Sequence, residues 1–138
     1  MPEGVGYGPQ NTASTGLNLN VIGNHAYAFS GTFAATTAAQ TAFDFTTGNY
    51  VFIGRITFNG PISLTGPGSG IDASTCTVKM NDSIIILMKG RTQNDPLLAT
   101  VYNDIIISPY TNIVVTLDAS DDVGTTFMTV SLTGKIIK

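Results

Sequence analysis

Charged side chains are scarce in this sequence. Only 11% of the 138 residues are Asp, Glu, Lys or Arg, against about 25% in a typical soluble domain. Isolated domains use surface charge to stay apart, so a sparsely charged exterior predicts that neighbouring molecules cover much of it. The six basic residues are spread along the chain and the net charge is −3. The sequence therefore has no basic patch for a nucleic acid backbone.

The side chains that most often carry catalysis or bind metals are also scarce. The chain has one histidine, one cysteine and no tryptophan, which excludes a disulfide within the chain, a thiolate metal cluster and a site with two histidine ligands. His25 and Cys76 are each in phase with the apolar residues of an alternating segment. We predict a histidine at the margin of the core and a buried, unreactive thiol. We expect no metal and no cofactor.

Carboxylates are few, and most fall in turn-like sequence. Glu3 is the only glutamate, Asp44 is predicted to face outward from a strand, and most other aspartates occur where turns favour them. The acid pair in a cleft that a glycosidase requires is not predicted, so we expect the chain not to be an enzyme. Residues 118–122 contain three aspartates. Calcium binding there stays an alternative to a solvated turn.

Long hydrophobic runs are absent as well. No stretch of the sequence approaches the ~20 consecutive apolar residues of a transmembrane helix. Residues 1–8 contain no basic segment followed by an apolar run, which is the pattern of a cleavable secretion signal. We expect neither a membrane span nor such a signal. A protein of this kind that acts outside a cell is expected to leave by another route, such as lysis.

What the sequence does contain is alternation with a period of two, which is typical of strands that bury one face. Residues 25–33 place large rings at odd positions and small residues between them. This pattern predicts that Tyr27 and Phe29 lie on the core side. Residues 50–58, and the apolar positions between 113 and 136, alternate in the same way. No helical period occurs, so we predict an all-β fold.

Turn signals divide the chain into eight to ten predicted strands. Residues 48–49 and 81–83 each separate two alternating runs and predict tight hairpins, and residues 59–61 predict the end of a strand. Residues 1–16 are rich in Gly, Asn and Thr without periodicity, which predicts an extended N-terminal arm. For residues 17–138 we predict a single antiparallel β-sandwich, more narrowly a jelly roll.

Two runs break the alternation. Residues 84–88 and 105–107 are apolar throughout. Such runs are typical of strands that are covered on both faces, either between two sheets or at a contact between subunits. If the second alternative holds, the candidate contact residues are Ile85, Leu87 and Ile106.

Several strand and turn segments resemble small jelly-roll structural proteins of tailed bacteriophages, especially marine phages. These segments are residues 43–58, 78–82, 108–115 and 130–135. The resemblance extends over about residues 17–138, and its motifs are structural rather than catalytic. In those relatives the loop before the penultimate strand is closer to Pro-Pro-Phe-Thr, where this chain has Ser-Pro-Tyr-Thr at positions 108–111.

The resemblance implies a capsid decoration or cement protein. Such a protein is commonly trimeric, binds the major capsid protein on the outer surface of the phage head and braces the shell. Tyr7, Pro9 and Asn11 in the arm are the expected shell contacts. A nucleic acid or membrane partner is not expected. The alternatives are a receptor-binding or tail-tip module, a vertex jelly roll that forms the shell, and a secreted lectin-like module of cellular origin. The candidate contacts for a glycan are Tyr7, Tyr102 and Tyr110.

Overall fold

The computed structural model describes residues 19–63, 74–90, 100–120 and 123–138. These residues form ten strands and no helix, and so no helix among them is suited to cross a membrane. The strands are β1 (Asn20–Ile22), β2 (His25–Phe29), β3 (Phe33–Ala35), β4 (Gln40–Thr46), β5 (Val51–Ser63), β6 (Ser74–Met80), β7 (Ser83–Gly90), β8 (Thr100–Ile107), β9 (Asn112–Ala119) and β10 (Val123–Ile137). The predicted arm, residues 1–16, lies outside the described residues.

The strands form two antiparallel sheets. The large sheet has the order β1-β2-β10-β5-β8, with β3 also paired to β10, and the small sheet has the order β4-β9-β6-β7. All described pairs are antiparallel. The prediction of an all-β antiparallel sandwich is confirmed. The narrower prediction of a jelly roll stays a prediction.

The core lies between the sheets and is built from the apolar phase of each strand. On β5 the predicted phase is confirmed, because Phe52, Ile56 and Phe58 are fully buried. Asp44 faces outward, also as predicted. The largest fully buried side chains come from both sheets and are Phe43, Phe52, Phe58, Ile56, Met88, Ile107, Ile113, Leu117, Met128, Leu132 and Val78.

On β2 the predicted face is wrong. Ala26 and Ala28 are buried, whereas Phe29 is 57% exposed, and its ring centroid lies 5.2 Å from that of Tyr27 on the outer face. The reason is the pairing with β10, which sets Ala28 opposite the buried Leu132. A period of two separates two faces, but the register decides which face points inward.

The predicted hairpin at residues 48–49 is also wrong. Residues 47–50 cross from β4 in the small sheet to β5 in the large sheet, and residues 108–111 make the return crossing from β8 to β9. The buried Thr47 joins the two crossings. Its hydroxyl donates to the Ser108 carbonyl and accepts from the Thr111 N–H, both at 2.8 Å. The two crossings therefore lie together at one end of the sandwich.

The second predicted hairpin is confirmed. Met80 pairs with Ser83, and the two residues between them, Asn81 and Asp82, have left-handed φ values of 49° and 69°. Asn and Asp adopt this conformation more readily than most residues, and a two-residue turn of this kind matches the twist of the flanking strands.

The predicted strand end at residues 59–61 is wrong, because β5 continues to Ser63. Its register against β10 shifts between Phe127 and Thr129. Such an irregularity in the pairing accommodates a residue like Pro61, which has no N–H to donate to the ladder.

β5 and β10 come unusually close where Gly54 is opposite Gly134. A Cβ atom on Gly54 would meet the carbonyl oxygen of Thr133, and would lie 2.8 Å from the α-carbon of Gly134. The ring of Phe52 covers the same place, with its Cζ 2.6 Å from that Cβ position. An aromatic ring thus fills the space that two strand glycines leave empty.

Candidate interaction surface

The candidate surface is formed by β7 and β8, which are the edge strands of the small and the large sheet. Among the described strands, β7 pairs only with β6, and β8 pairs only with β5. The two edge strands contact each other along one side of the sandwich. Each leaves a row of backbone N–H and C=O groups without a strand partner in the described part of the chain. Such a row is a template for pairing with another chain.

The predicted subunit-contact residues all lie on these two edge strands. Ile85 and Leu87 are exposed on β7, and Ile106 is 65% exposed on β8. The alternative that both apolar runs are covered between the sheets is wrong, because each run has one face outside the core. Their role as a subunit contact stays a prediction.

A bulge explains why β7 has so many exposed apolar side chains. Lys79 of β6 is opposite Ile84, whereas the next residue, Val78, is opposite Ile86, so that Ile85 is an extra residue. The bulge shifts the alternation by one residue. Ile84 and Leu87 are consequently both exposed, at 61% and 54%.

A polar cluster that the sequence analysis did not predict lies beside Ile106. Arg55 Nε donates to Asp104 Oδ1 at 2.8 Å, and the guanidinium carbon is 4.0 Å from the centroid of the Tyr102 ring. The cluster forms because β5 and β8 pair with Arg55 opposite Asp104. The hydrogen bond to Arg55 lowers the pKa of the exposed Asp104, and the same bond raises the pKa of Arg55. The sequence carries no signal for it, since the two charges are 49 positions apart.

Arg55 and Asp104 of this cluster form one wall of an open depression of about 520 Å³ on the outer face of the large sheet. The opposite wall is apolar, because Ile53 and Ile106 are the next outward-facing pair along the same two strands. The lining residues are Ile53, Gly54, Arg55, Asp104, Ile105, Ile106 and Thr133. A depression with one apolar and one charged wall suits an amphipathic group, such as side chains of a neighbouring molecule.

The other candidate residues do not assemble into a site. His25 is exposed at the start of β2 rather than at the margin of the core. Asp118 belongs to β9, and Asp121 and Asp122 lie outside the described residues. Within the described ranges no three potential metal ligands group together. Tyr7, Pro9 and Asn11 lie outside those ranges too, so their predicted contact with a shell stays a prediction.

Cys76 is fully buried, as predicted. It faces the core between Leu117 on β9 and Met88 on β7. Burial, with a smaller contribution from Asp118, raises the pKa of this thiol to about 12. Because the thiolate is the reactive form, the native thiol is inert at neutral pH.

We expect native Cys76 to resist iodoacetamide and to react once the protein unfolds. An unfolded thiol loses its proton near pH ~8.5, whereas the folded one retains it up to about pH 12. The free energy of unfolding should therefore fall between these values, by about 1.4 kcal/mol per pH unit from this group. Urea denaturation of the wild type and of Cys76→Ala over this range isolates the effect, since other groups titrate in both. Parallel pH profiles would contradict it.

The comparisons with known proteins identify no family. No family model matches the sequence, and no curated protein matches it. Among solved structures, the chain is similar to a cycloisomaltooligosaccharide glucanotransferase from Paenibacillus sp., crystallised with cycloisomaltoheptaose. The two are 19% identical over 85% of this chain and 15% of the enzyme, with a TM-score of 0.34. At that TM-score the similarity carries no argument about fold or function.

Proposed function

We propose that this chain is a non-enzymatic decoration or cement protein, which binds the major capsid protein on the outer surface of a phage head as a homotrimer. The observation that carries the proposal is the pair of adjacent edge strands, β7 and β8, with their exposed Ile84, Leu87 and Ile106. Exposed aliphatic side chains on two strands that each have one edge without a partner among the described residues suit a protein that works in an assembly. The low charge of the chain and the resemblance to phage virion proteins support the same conclusion.

Such a protein acts by binding alone. A molecule that binds the assembled shell, but not the free capsid subunits, stabilises the shell by its binding free energy. A trimer engages three capsid sites at once, and its second and third contacts form at high effective concentration. Individually weak contacts by Tyr7, Pro9 and Asn11 of the arm then suffice for stable attachment.

The positions of His25 and Cys76 argue against a cysteine–histidine catalytic pair. His25 is exposed on β2 in the large sheet, and Cys76 is buried on β6 in the small sheet. A nucleophile and its base must lie within hydrogen-bonding distance to cooperate.

A receptor-binding role at the tail or vertex is the second candidate. The exposed ring of Tyr102, which contacts the guanidinium of Arg55, favours it. An aromatic ring beside charged side chains is suited to contact a host glycan or protein.

The test is addition to shells. We expect the purified protein to have a mass of three times 14.4 kDa by light scattering, and to bind all over heads assembled without it, as seen by cryo-electron microscopy. Deletion of residues 1–16 should abolish attachment while the trimer persists. An arm-deleted trimer that still binds normally would refute the arm contact. A protein that ignores finished heads, or binds only at the tail, would transfer the assignment to the receptor-binding alternative.

A further inference from the structure

The two edge strands run in opposite directions. β8 runs toward the end of the sandwich where residues 108–111 cross, and β9 runs away from that end. β7 has the direction of β9, because both are antiparallel to β6. β7 and β8 are therefore antiparallel to each other, although they belong to different sheets. If a second copy is rotated about an axis parallel to the strands, its strands keep the same directions. β7 of the first copy can therefore pair with β8 of the second copy in antiparallel orientation.

We propose that β7 of one copy pairs with β8 of the next, with Leu87 opposite Ile106. This inference rests on the homotrimer of the proposed function and specifies its contact. The same register sets Lys89 opposite Asp104. Opposite residues of an antiparallel pair point to the same side and contact each other, so the outer face gains one aliphatic pair and one ion pair.

The inner face supports the same register. Met88 and Ile105 are both buried in their own cores, and the register sets them opposite each other, as it does Ile86 and Ile107. A slip of one residue would turn a core face to solvent. The pairing thus joins the small sheet of one copy to the large sheet of the next, and the apolar interiors become continuous.

Neighbouring registers are poorer. A slip of two residues keeps the faces, but it sets Leu87 opposite Asp104 in one direction, or Lys89 opposite Ile106 in the other. Each arrangement places an apolar side chain against a charge and loses the ion pair. Among these three registers, only the proposed one places apolar side chains opposite apolar side chains on both faces and also places Lys89 opposite Asp104.

The depression on the outer face fits this contact. Leu87 of the neighbouring copy extends the apolar wall formed by Ile53 and Ile106. Lys89 approaches Asp104 from the side opposite Arg55, whose bond uses only one of the two carboxylate oxygens. A carboxylate accepts several hydrogen bonds, so Asp104 would lie between two cations.

Charge also favours this contact over pairing of identical strands. Two β8 strands that pair antiparallel with Asp104 opposite Asp104 bring the two carboxylates together, which is destabilising. Pairing of β7 with β8 instead makes each contact between different surfaces. Contacts of this type close into a ring when the rotation allows it.

The experiment is a cysteine cross-link with the double variant Leu87→Cys, Ile106→Cys. Within one chain these side chains lie on the outer faces of different sheets and point away from each other, so their sulfur atoms could not meet without movement of the backbone. Between copies in the proposed register they are directly opposite. Mild oxidation should therefore give covalent trimers on a non-reducing gel. The control Lys89→Cys, Ile106→Cys is displaced by two residues and should cross-link at most weakly.

The outcomes separate this inference from the function on which it rests. Covalent trimers from the first variant alone support the pairing. Covalent dimers that do not become trimers on complete oxidation, from a protein that is dimeric by light scattering, support the pairing but refute the trimer. Trimers by light scattering that bind heads without cross-linking, or that cross-link equally in the control, overturn the register and leave the function standing. Cross-linked trimers that do not bind heads overturn the function and leave the register standing.

Discussion

Gly54→Ala is expected to lower the free energy of unfolding by about 3 kcal/mol, the upper part of the usual range for overpacking. The new methyl group would meet the carbonyl oxygen of Thr133, and it would lie 2.8 Å from the α-carbon of Gly134 and 2.6 Å from the Phe52 ring. Two of these three neighbours are backbone atoms of β10, the strand at the centre of the large sheet. The clash could be relieved only if β5 and β10 moved apart. Urea denaturation of the variant and the wild type measures the loss in the free energy of unfolding.

The matched control is Gly48→Ala in the crossing between the sheets. There the methyl group would approach only the ring of Tyr50, at 3.0 Å. A side chain can rotate away, so we expect a loss of about 0.5 kcal/mol or less. Equal losses in the two variants would show that the glycine effect is general rather than a consequence of the close approach at Gly54.

Phe43→Ala is expected to cost about 4 kcal/mol, which is typical for removal of a buried ring. Phe43 is fully buried, and a register shift between β9 and β4 turns both it and the adjacent Ala42 toward the core. The structure around the cavity cannot collapse freely, because the neighbouring residues belong to paired strands.

Phe29→Ala is the same chemical change on the outer face of β2. The ring is 57% exposed and contacts Tyr27, so we expect a loss of about 1 kcal/mol or less. Denaturation midpoints of the two variants, measured side by side, test the face assignment of β2 directly. Comparable losses would contradict it and would favour the rings as core residues.

The sequence was sufficient to predict the presence of most strands and the local turn at Asn81 and Asp82. Each of these depends on neighbours within a few residues, where alternation and turn chemistry act. The buried state of Cys76 was predictable for the same reason. The prediction failed on β2 because the inner face there is selected by pairing with Leu132, more than a hundred positions away.

Pairing between distant segments also determines which side chains are exposed on the candidate surface. Ile85, Leu87 and Ile106 were predictable as unusual because their segments are apolar throughout, but the bulge that exposes Ile84 and Leu87 exists only against β6. Arg55 and Asp104 are unremarkable residues until β5 and β8 align. Exposed strand edges follow from the order of strands in each sheet, and a single sequence does not contain that order.

The central position of β10 has a consequence for synthesis. β10 pairs with β2, β3 and β5, all of which precede it by more than fifty residues, whereas the described strands of the small sheet all end by Ala119. During synthesis, β2 and β5 therefore each have one unpaired edge until β10 has left the ribosome. Strands with unpaired edges are prone to aggregation. A message truncated before residue 123 would yield chains that complete the small sheet but never close the large one.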